Sequence, residues 1–341
     1  MLSTNNKIKS IVLLADRTYK KSEESDINSN RLEMVCDEYF EDIFNGLSKI
    51  AVEVIHYNTP QNFIDNIKKH TDAVVFSIYG GFGSRNRMAL VPAICEAYNI
   101  KYVGGDTYAR IICQDKQLTK EFVKKLGLST PGYILIEEAT QLDLATSLKL
   151  PLIIKPNMEG SSIGIDRDSI AHDYPTAIRL AEKGLTKYAQ PILVEEFVGG
   201  REINICIIGD TKNIQLFEAI ENYNVGSPTY FDSNVFSAYD KHVSDDFRLK
   251  TITSELKSDT IHLLKKLFLS LGKMDYLRID GKLSGPELQI IELTPDGYIG
   301  KDSAFTVASS YNNLDYHKML LAIIDNSLAY YQTQYSSGKE N

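Results

Sequence analysis

Residues 276–294 read YLRIDGKLSGPELQIIELT, with apolar and polar residues alternating on both sides of a Ser-Gly-Pro-Glu turn at 284–287. Alternation of this kind is typical of half-buried strands, and the turn residues between the two runs indicate a β-hairpin. We therefore predict strands over 276–283 and 288–293, which places antiparallel structure in the C-terminal part of the chain.

The polar positions of this hairpin suggest a chemistry. Residues two apart on a strand share a face, so Arg278 projects beside Asp280, and Glu292 projects beside Thr294 on the partner strand. Two carboxylates next to an arginine suit magnesium ions that bridge phosphate oxygens, since Mg²⁺ takes one or two carboxylates together with water and phosphate. A strand salt bridge between Arg278 and a carboxylate is the structural alternative.

Upstream of the hairpin, an apolar run at 151–156 predicts a strand that carries Lys155, and a loop of small residues follows over 159–165. A charged group at the end of a buried strand must reach water or meet an anion. Small residues leave the backbone N–H groups of the loop free to close around a polyphosphate. A plain hairpin turn is the alternative, but Lys116 on the preceding predicted helix supplies a second cation for the same anion.

A strand exit at Glu195-Glu196-Phe197-Val198 offers a nucleoside site. Its backbone groups can pair with an adenine edge, while a carboxylate accepts from the exocyclic amine. Glu202, four residues after Val198, can accept from ribose hydroxyls. A solvated acidic edge is the alternative interpretation.

The first third of the chain alternates short β-branched runs with amphipathic helical stretches, at residues 11–14, 35–50, 52–55, 63–70 and 73–76. This alternation predicts parallel strands with right-handed crossovers, hence a doubly wound lobe. Open α/β sheets bind ligands beyond the carboxyl ends of their strands, and the loops 16–28 and 79–85 are predicted to lie there. The glycines of the second loop can surround a phosphate, and a flexible turn is the alternative for that loop.

Composition narrows the function classes. The 341 residues include 45 acidic and 37 basic side chains, and the formal charge of −8 is the opposite of what nucleic acid favours. The four cysteines form no CxxC pair, and the six histidines lack zinc-like spacing. No apolar stretch approaches the roughly 20 residues that cross a bilayer. We expect a cytoplasmic protein that binds neither nucleic acid nor membrane.

Five motifs in order resemble those of D-alanine–D-alanine ligase and its relatives in the ATP-grasp superfamily. They are DKQLTK at 115–120, IKP and EGSSIG within 154–164, EEFVGGRE at 195–202, RID at 278–280 and ELTP at 292–295. The resemblance covers nearly the whole chain. It implies an α/β and α+β ATP-grasp fold, with an N-terminal doubly wound parallel-sheet domain over 1–112 and two α+β lobes, 113–198 and 199–335, that enclose ATP.

The same resemblance implies site residues. ATP would be bound by Lys116, Lys155, Glu159, Gly160, Ser161, Ser162, Glu195, Glu196, Phe197, Val198 and Glu202. Asp280 and Glu292 would bind two Mg²⁺ ions, with Mn²⁺ as an alternative. Beyond the resemblance, Thr294 offers a hydroxyl, and Asp296 or a water held by Thr294 would complete the second site if the strand continues past Pro295. A turn before Gly297 is the alternative role of Asp296. The substrates would contact Glu24, Tyr79, Gly80, Arg278, Gly297 and Ser303. Catalysis would depend on Arg278, Lys155 and Ser162, with Arg278 stabilising the acyl phosphate and the tetrahedral intermediate.

The chain departs from the family pattern at several positions. Tyr79 stands where the family has a histidine, and Glu24 is the nearest candidate for the substrate-binding glutamate of the first loop. Thr294 replaces an asparagine of the metal pattern. Phe236 occupies the position of a phosphate-binding lysine, and Lys241 is the candidate substitute.

We therefore expect an ATP-dependent carboxylate–amine ligase that joins two small amino-acid-like substrates through an acyl phosphate and releases ADP and phosphate. A substrate with a second anionic group is favoured by the basic residues of the two loops, Arg17, Lys20, Lys21, Arg85 and Arg87; simple surface solvation is the alternative. Two other functions stay open, authentic D-alanine–D-alanine ligase and a nucleotide-binding regulatory protein with little turnover. A homodimer is compatible with the resemblance.

Overall fold

The computed structural model of the protein describes residues 7–17, 34–81, 85–242, 244–295 and 297–337, with side chains except those of 242 and 334–337. Two candidate site residues, Glu24 and Asp296, lie outside the described residues, as do Lys20 and Lys21. Within these ranges the chain forms three β-sheets.

The N-terminal part folds around a four-stranded parallel sheet. Its elements are β1 (Ile8–Leu14), α1 (Asp37–Ile50), β2 (Ala51–Tyr57), α2 (Pro60–Asn66), β3 (Val74–Ser77), α3 (Arg87–Ala97) and β4 (Lys101–Tyr102). The strand order is β2-β1-β3-β4, and each pair is parallel. Val12 and Leu14 pack on one side of β1, and Ile11 and Leu13 pack on the other, so helices cover both faces. The predicted doubly wound lobe is confirmed.

A smaller antiparallel sheet follows two helices, α4 (Thr107–Gln114) and α5 (Lys116–Lys125). Its strands are β5 (Tyr133–Ile136), β6 (Leu152–Pro156), β7 (Ile170–Ala171) and β8 (Ile192–Glu196), in the order β5-β8-β6-β7. Helix α6 (Tyr174–Tyr188) covers one face, where its small residues Ala177 and Ala181 pack on Ile154. The loop between β6 and β7 contains the small residues that the sequence associates with phosphate.

A five-stranded antiparallel sheet forms the largest lobe. Its strands are β9 (Arg201–Gly209), β10 (Ile214–Asn224), β11 (Phe247–Thr251), β12 (Tyr276–Ser284) and β13 (Glu287–Thr294), in the order β11-β10-β9-β12-β13. The helices of this part are α7 (Ala238–His242), α8 (Ser258–Ser270), α9 (Ala304–Tyr311) and α10 (Tyr316–Ser337). Strands β12 and β13 form the predicted hairpin, within one residue of its expected bounds at each end.

The two faces of β9 enter different environments. Its odd-numbered isoleucines, 203–207, pack with α4, α5 and α8 on one face. Cys206 and Ile208 pack on the other face with α9, α10 and the N-terminal sheet. On that second face the apolar row ends at Cys206 and continues as Asn204 and Glu202, since alternate residues share a face. This polar end of the sheet forms the floor of the candidate site.

Helix α5 packs in the core of the large sheet. Its Val123 lies in the same apolar cluster as Ile112 of α4 and Leu293 of β13. The expected boundary at residue 113 assigned α5 to the small lobe, but the apolar face of the helix meets β13. The division of the chain into domains stays a prediction.

The C-terminal helix α10 joins the N-terminal sheet to the large sheet. Its Met319, Leu320, Ile323 and Ile324 are fully buried in the cluster that also contains β1 residues. Across the described ranges, no helix combines the length and the apolar character that a membrane span requires.

Candidate active site

The hairpin brings its four polar residues together. Arg278 lies opposite Thr294 and Asp280 lies opposite Glu292 in the ladder between β12 and β13. Nε and Nη2 of Arg278 donate to the two carboxylate oxygens of Asp280 at 2.7 and 2.8 Å. Burial disfavours the charge of Arg278, but Asp280 outweighs this effect and raises the pKa of the guanidinium. The salt bridge considered from the sequence is therefore present.

Asp280 also accepts from two further side chains. Nδ2 of Asn204 donates to it at 2.8 Å, and Oγ1 of Thr294 donates at 3.3 Å. Nδ2 of Asn222 donates to the side-chain oxygen Oδ1 of Asn204 at 2.7 Å and so fixes the orientation of that side-chain amide. With the two bonds from Arg278, all four acceptor positions of the Asp280 carboxylate have donors. The sequence analysis missed both asparagines, although the two-residue spacing between Glu202 and Asn204 indicates a shared face.

A buried ion cluster lies between α5 and the smaller sheet. Nζ of Lys155 lies 3.1 Å from Oε1 of Glu195, and Lys120 forms an ion pair with Oε2. All three side chains are at most 2% exposed. Burial opposes the charge of Glu195, but the two lysines outweigh it and lower its pKa. Burial lowers the pKa of Lys120 to about 8, against the opposing effect of Glu195.

The Glu195 carboxylate has partners within the chain that the sequence does not reveal. It pairs with Lys120 and Lys155, and its expected contact with a nucleoside stays a prediction. The physical reason is that a buried carboxylate requires counter-charges, and Lys120 comes from a helix distant in sequence. Lys120 was missed, although it lies four residues after Lys116 on the same helix, a spacing that places both on one face.

Lys116 connects the phosphate-loop side of the site to the hairpin. It is the first residue of α5, whose start is fixed by Asp115, which accepts from the N–H of Leu118 at 3.1 Å. Its Nζ lies 3.5 Å from Oε1 of Glu292 and donates to the backbone carbonyl of Glu159. A predicted phosphate ligand and a predicted metal ligand therefore face the same space.

The loop after β6 has an unusual backbone. Ser161 and Ser162 have φ angles of 51° and 61°, and Gly164 has a φ of 74°. Left-handed conformations are uncommon for residues other than glycine and occur often at functional sites. The loop closes on itself through N–H groups of Ile163 and Ile165, which donate to Gly160 and Ser162 carbonyls at 2.9 and 3.0 Å.

Ser162 crosses to the large lobe and meets Lys241. Its hydroxyl donates to the carbonyl oxygen of Phe236 at 3.0 Å and accepts from Nζ of Lys241 at 2.8 Å. The Lys241 side chain is exposed to solvent on one side. Desolvation by the surrounding protein nevertheless lowers its pKa, and the positive charge of Arg278 adds to this effect. Three carboxylates of the site, Asp280, Glu202 and Glu292, act in the opposite direction and raise the pKa of Lys241. Lys241 thus brings a positive charge to Ser162 of the loop, which the uncharged Phe236 side chain cannot do.

The strand exit expected to bind adenine is partly engaged by the protein. The N–H groups of Glu196 and Phe197 donate to the carbonyls of Gly132 and Pro151, both at 2.8 Å. The Phe197 side chain packs on an apolar cluster of Ile153, Ile170 and Val235. Glu202 lies 2.8 Å from Nζ of Lys282. An apolar cluster therefore packs on Phe197, the residue before Val198, at the strand exit where a planar base is expected.

Asp16 organises the loop on the N-terminal side. Its carboxylate accepts from the N–H groups of Gly80 and Gly81, at 3.2 and 2.8 Å. Gly81 has a φ of 66°, and a Cβ there would lie 2.6 Å from the Tyr79 ring. Burial raises the pKa of Tyr79, and Asp16 adds to this effect. Asp16 begins the loop at 16–28 that the sequence places at the carboxyl edge of the sheet, but the sequence did not single it out as a site residue.

Two other expected substrate residues lie near Arg278 and α9. A Cβ on Gly297 would lie 3.1 Å from that of Arg278 and 3.0 Å from the Phe305 ring, so this position must stay small. Ser303 is 4% exposed and caps α9 by accepting from the N–H of Thr306 at 3.1 Å. Its substrate role stays a prediction, and its hydroxyl already serves the helix.

The arginines expected to attract a second anionic group have acidic partners. Arg17 lies 2.6 Å from Asp37 and 3.1 Å from Glu41, and both acids belong to α1. Arg87 lies 3.1 Å from Glu159. Acids that the sequence does not place beside Arg17 and Arg87 therefore compensate part of this loop charge, and the preference for an anionic substrate stays a prediction.

The metal hypothesis depends on few ligands. Among the residues that the structure describes, no group of three or more His, Cys, Asp or Glu side chains is placed to hold a metal ion. Asp280 and Glu292 face each other across adjacent strands, and Glu292 is 27% exposed. Two carboxylates fit Mg²⁺, which fills its remaining positions with water and phosphate oxygens.

Comparisons with known proteins agree with these features. The family model described as D-ala D-ala ligase C-terminus matches residues 122–325. The D-alanine–D-alanine ligase of Carboxydothermus hydrogenoformans is 28% identical over 246 residues, covering 70% of this chain and 75% of that protein. The D-alanine–D-alanine ligase B of Chromobacterium violaceum is 25% identical over 288 residues, covering 83% and 89%. The crystal structure of the Bacillus anthracis D-alanine–D-alanine ligase complexed with ATP is similar with a TM-score of 0.70 at 18% identity, covering 96% and 99%.

Proposed function

The chain belongs to the D-alanine–D-alanine ligase family of ATP-grasp enzymes, and from this premise we propose how its site joins a carboxylate to an amine. It is an ATP-dependent carboxylate–amine ligase that forms a carbon–nitrogen bond. We propose that the bond is an amide or peptide bond between small amino-acid-like substrates, formed through an acyl phosphate.

One observation supports this proposal most strongly. Nζ of Lys116 lies 3.5 Å from Oε1 of Glu292, so a cation suited to phosphate meets a carboxylate suited to Mg²⁺. Phosphoryl transfer depends mainly on positioning and charge neutralisation, which this pairing supplies. Lys116 also donates to the backbone carbonyl of Glu159, the residue that directly precedes the loop at 160–164.

The proposed reaction has two steps. A carboxylate oxygen of the first substrate attacks the γ-phosphorus of ATP, and ADP leaves. The amine of the second substrate then attacks the acyl carbon, and phosphate leaves with that carboxylate oxygen. Lys116, Lys155 and the backbone N–H groups of the loop bind the phosphates, and Arg278 stabilises the anionic tetrahedral intermediate. Two hydrogen bonds from Arg278 to Asp280 fix the guanidinium, which supports this proposed role.

We propose that Asp280 and Glu292 hold Mg²⁺, which supplies neutralisation of phosphate charge when it is bound. The hydrogen bond from Thr294 to Asp280 is the longest of the four, at 3.3 Å, and we expect the cation to replace it. Thr294, through its hydroxyl or a water, and Asp296 remain the proposed ligands of a second ion.

A nucleotide-binding protein with little turnover is the second candidate. It is favoured by Phe236 at the position where the family has a lysine, and by the four donors that already occupy Asp280. Authentic D-alanine–D-alanine ligase activity is consistent with the family membership, and Tyr79 is the residue that makes a different first substrate our preferred proposal.

A screen of substrate pairs tests this function. Purified protein with Mg²⁺ and ATP is incubated with pairs of amino acids and dipeptides, and ADP and pyrophosphate are measured. We expect ADP release that depends on both members of one pair. Pyrophosphate release would contradict the proposal, and ATP binding without turnover for any pair would favour the second candidate. Efficient turnover of D-alanine alone would identify the authentic ligase.

A further inference from the structure

The entry to the phosphate loop is held by an arginine from the N-terminal lobe. Arg87 is the first residue of α3 and is 5% exposed. Its Nη2 donates to the carbonyl oxygen of Met158 at 3.0 Å and to Oε2 of Glu159 at 3.1 Å. One guanidinium nitrogen therefore contacts two consecutive residues directly before Gly160.

Gln190 holds the same two residues from the other side. Its Nε2 donates to Oε1 of Glu159 at 2.7 Å, and its Oε1 accepts from the N–H of Met158 at 2.8 Å. Lys116 completes the arrangement by donating to the backbone carbonyl of Glu159. Both carboxylate oxygens and the carbonyl of Glu159 are thus fixed by three separate parts of the fold.

The charges make this contact more than a surface ion pair. The Arg87 and Glu159 side chains are 5% and 14% exposed, so water screens their attraction weakly. Removing one partner from such a pair leaves the other charge without compensation. Without Arg87, the Glu159 carboxylate would keep only Gln190 among the side chains described above, and the start of the loop would lose its contact with α3.

We propose that Arg87 is a positioning residue that couples the candidate substrate loop of the N-terminal lobe to the phosphate loop. Residues 79–81 precede α3 in the chain, and 160–164 follow Glu159, so the ion pair joins the elements that carry the two loops. A displacement of about 1 Å in such an arrangement can reduce a rate by about 100-fold. The inference depends on the proposed ATP-dependent reaction and adds a residue to it.

A cycle of variants tests this role by affinity for AMP-PNP with MgCl2. We expect Arg87→Met and Glu159→Gln each to raise the dissociation constant about tenfold, and the double variant to be little worse than either, because the two residues act through one contact. Arg87→Lys keeps a cation and should recover part of the affinity. Arg179→Met, an exposed arginine on α6, is the matched control and should match the unsubstituted protein.

The outcomes separate the two proposals. If Arg87→Met lowers the melting temperature but leaves AMP-PNP affinity unchanged, Arg87 is only structural and the inference is wrong. Additive effects in the double variant would also overturn it, because the two side chains would then act independently. Failure of the unsubstituted protein to bind AMP-PNP would contradict the proposed function itself, and the inference with it.

Discussion

Replacement of Lys120 by methionine tests the buried ion cluster. Lys120 is fully buried, forms an ion pair with Glu195 and donates to Oγ1 of Thr130 at 2.9 Å. Methionine has a similar length and fills the same space without the charge. Glu195 would keep only Lys155, at 3.1 Å. Breaking a buried pair by removing one partner costs about 3–5 kcal/mol.

Two contacts that remain in Lys120→Met limit the loss in the free energy of unfolding. Lys155 still compensates part of the Glu195 charge, which favours the lower end of that range, and Thr130 keeps its bond to the carbonyl of Ile290 at 2.7 Å. We therefore expect Lys120→Met to lower the free energy of unfolding by about 3 kcal/mol. The corresponding change in the unfolding equilibrium constant is more than 100-fold, since about 1.4 kcal/mol is a factor of ten.

Urea unfolding followed by circular dichroism measures this change. Lys125→Met, an exposed lysine on the same helix, is the control and should change the free energy by less than about 0.5 kcal/mol. Lys120 and Glu195 share one contact, so the double variant Lys120→Met/Glu195→Gln should destabilise the protein by less than the sum of the two single variants. A loss below about 1 kcal/mol for Lys120→Met would refute the assignment of a buried, compensated cluster.

Three further predictions concern charge and metal binding. Lys241→Met should raise the KM for ATP about tenfold, because it removes the cation that contacts Ser162 at 2.8 Å; an unchanged KM in an ADP-release assay would contradict this. Thr294→Asn should lower the Mg²⁺ concentration for half-maximal activity about threefold, because an amide oxygen is a better ligand than a hydroxyl, and an unchanged titration would contradict the metal role of Thr294. The pKa of Lys120 is about 8 in the folded protein and 10.5 as its ordinary value. The unfolded state then binds more protons between those pH values, so stability due to this group should rise with pH across that window, and Lys120→Met should remove the slope.

The sequence predicted the architecture because its patterns are local. Alternating strands and helices over 11–76 specify a parallel lobe, and the alternation over 276–294 specifies a hairpin whose register brings Arg278 to Thr294 and Asp280 to Glu292. These features depend on spacing within a few residues. They required no knowledge of distant contacts.

The parts of the site that the sequence did not predict depend on distant partners. Glu195 was expected at a nucleoside edge, but Lys120 from α5 and Lys155 from β6 enclose its carboxylate. Arg17 was expected to face a ligand, but α1 supplies its acids. A charged residue on a strand or loop has the same local pattern whether its counter-charge is a ligand or another residue of the chain.

The replacement of a phosphate lysine illustrates the same limit. Alignment places Phe236 at that position, and Lys241 was a candidate only through its proximity in sequence. The geometry strengthens this candidate, because helix α7 carries Lys241, whose Nζ donates to Ser162, while Phe236 contributes its carbonyl oxygen. The role of Lys241 at phosphate stays a prediction until its variant is assayed.

Isotope transfer from the carboxylate substrate tests the central claim most directly. The substrate identified by the pair screen is labelled with ¹⁸O in its carboxylate, and the phosphate, ADP and AMP of a completed reaction are analysed by mass spectrometry. An acyl phosphate transfers one carboxylate oxygen to phosphate, so the account predicts one ¹⁸O in inorganic phosphate and none in the nucleotides. Label in AMP, or its absence from phosphate while the amide product forms, would contradict the account.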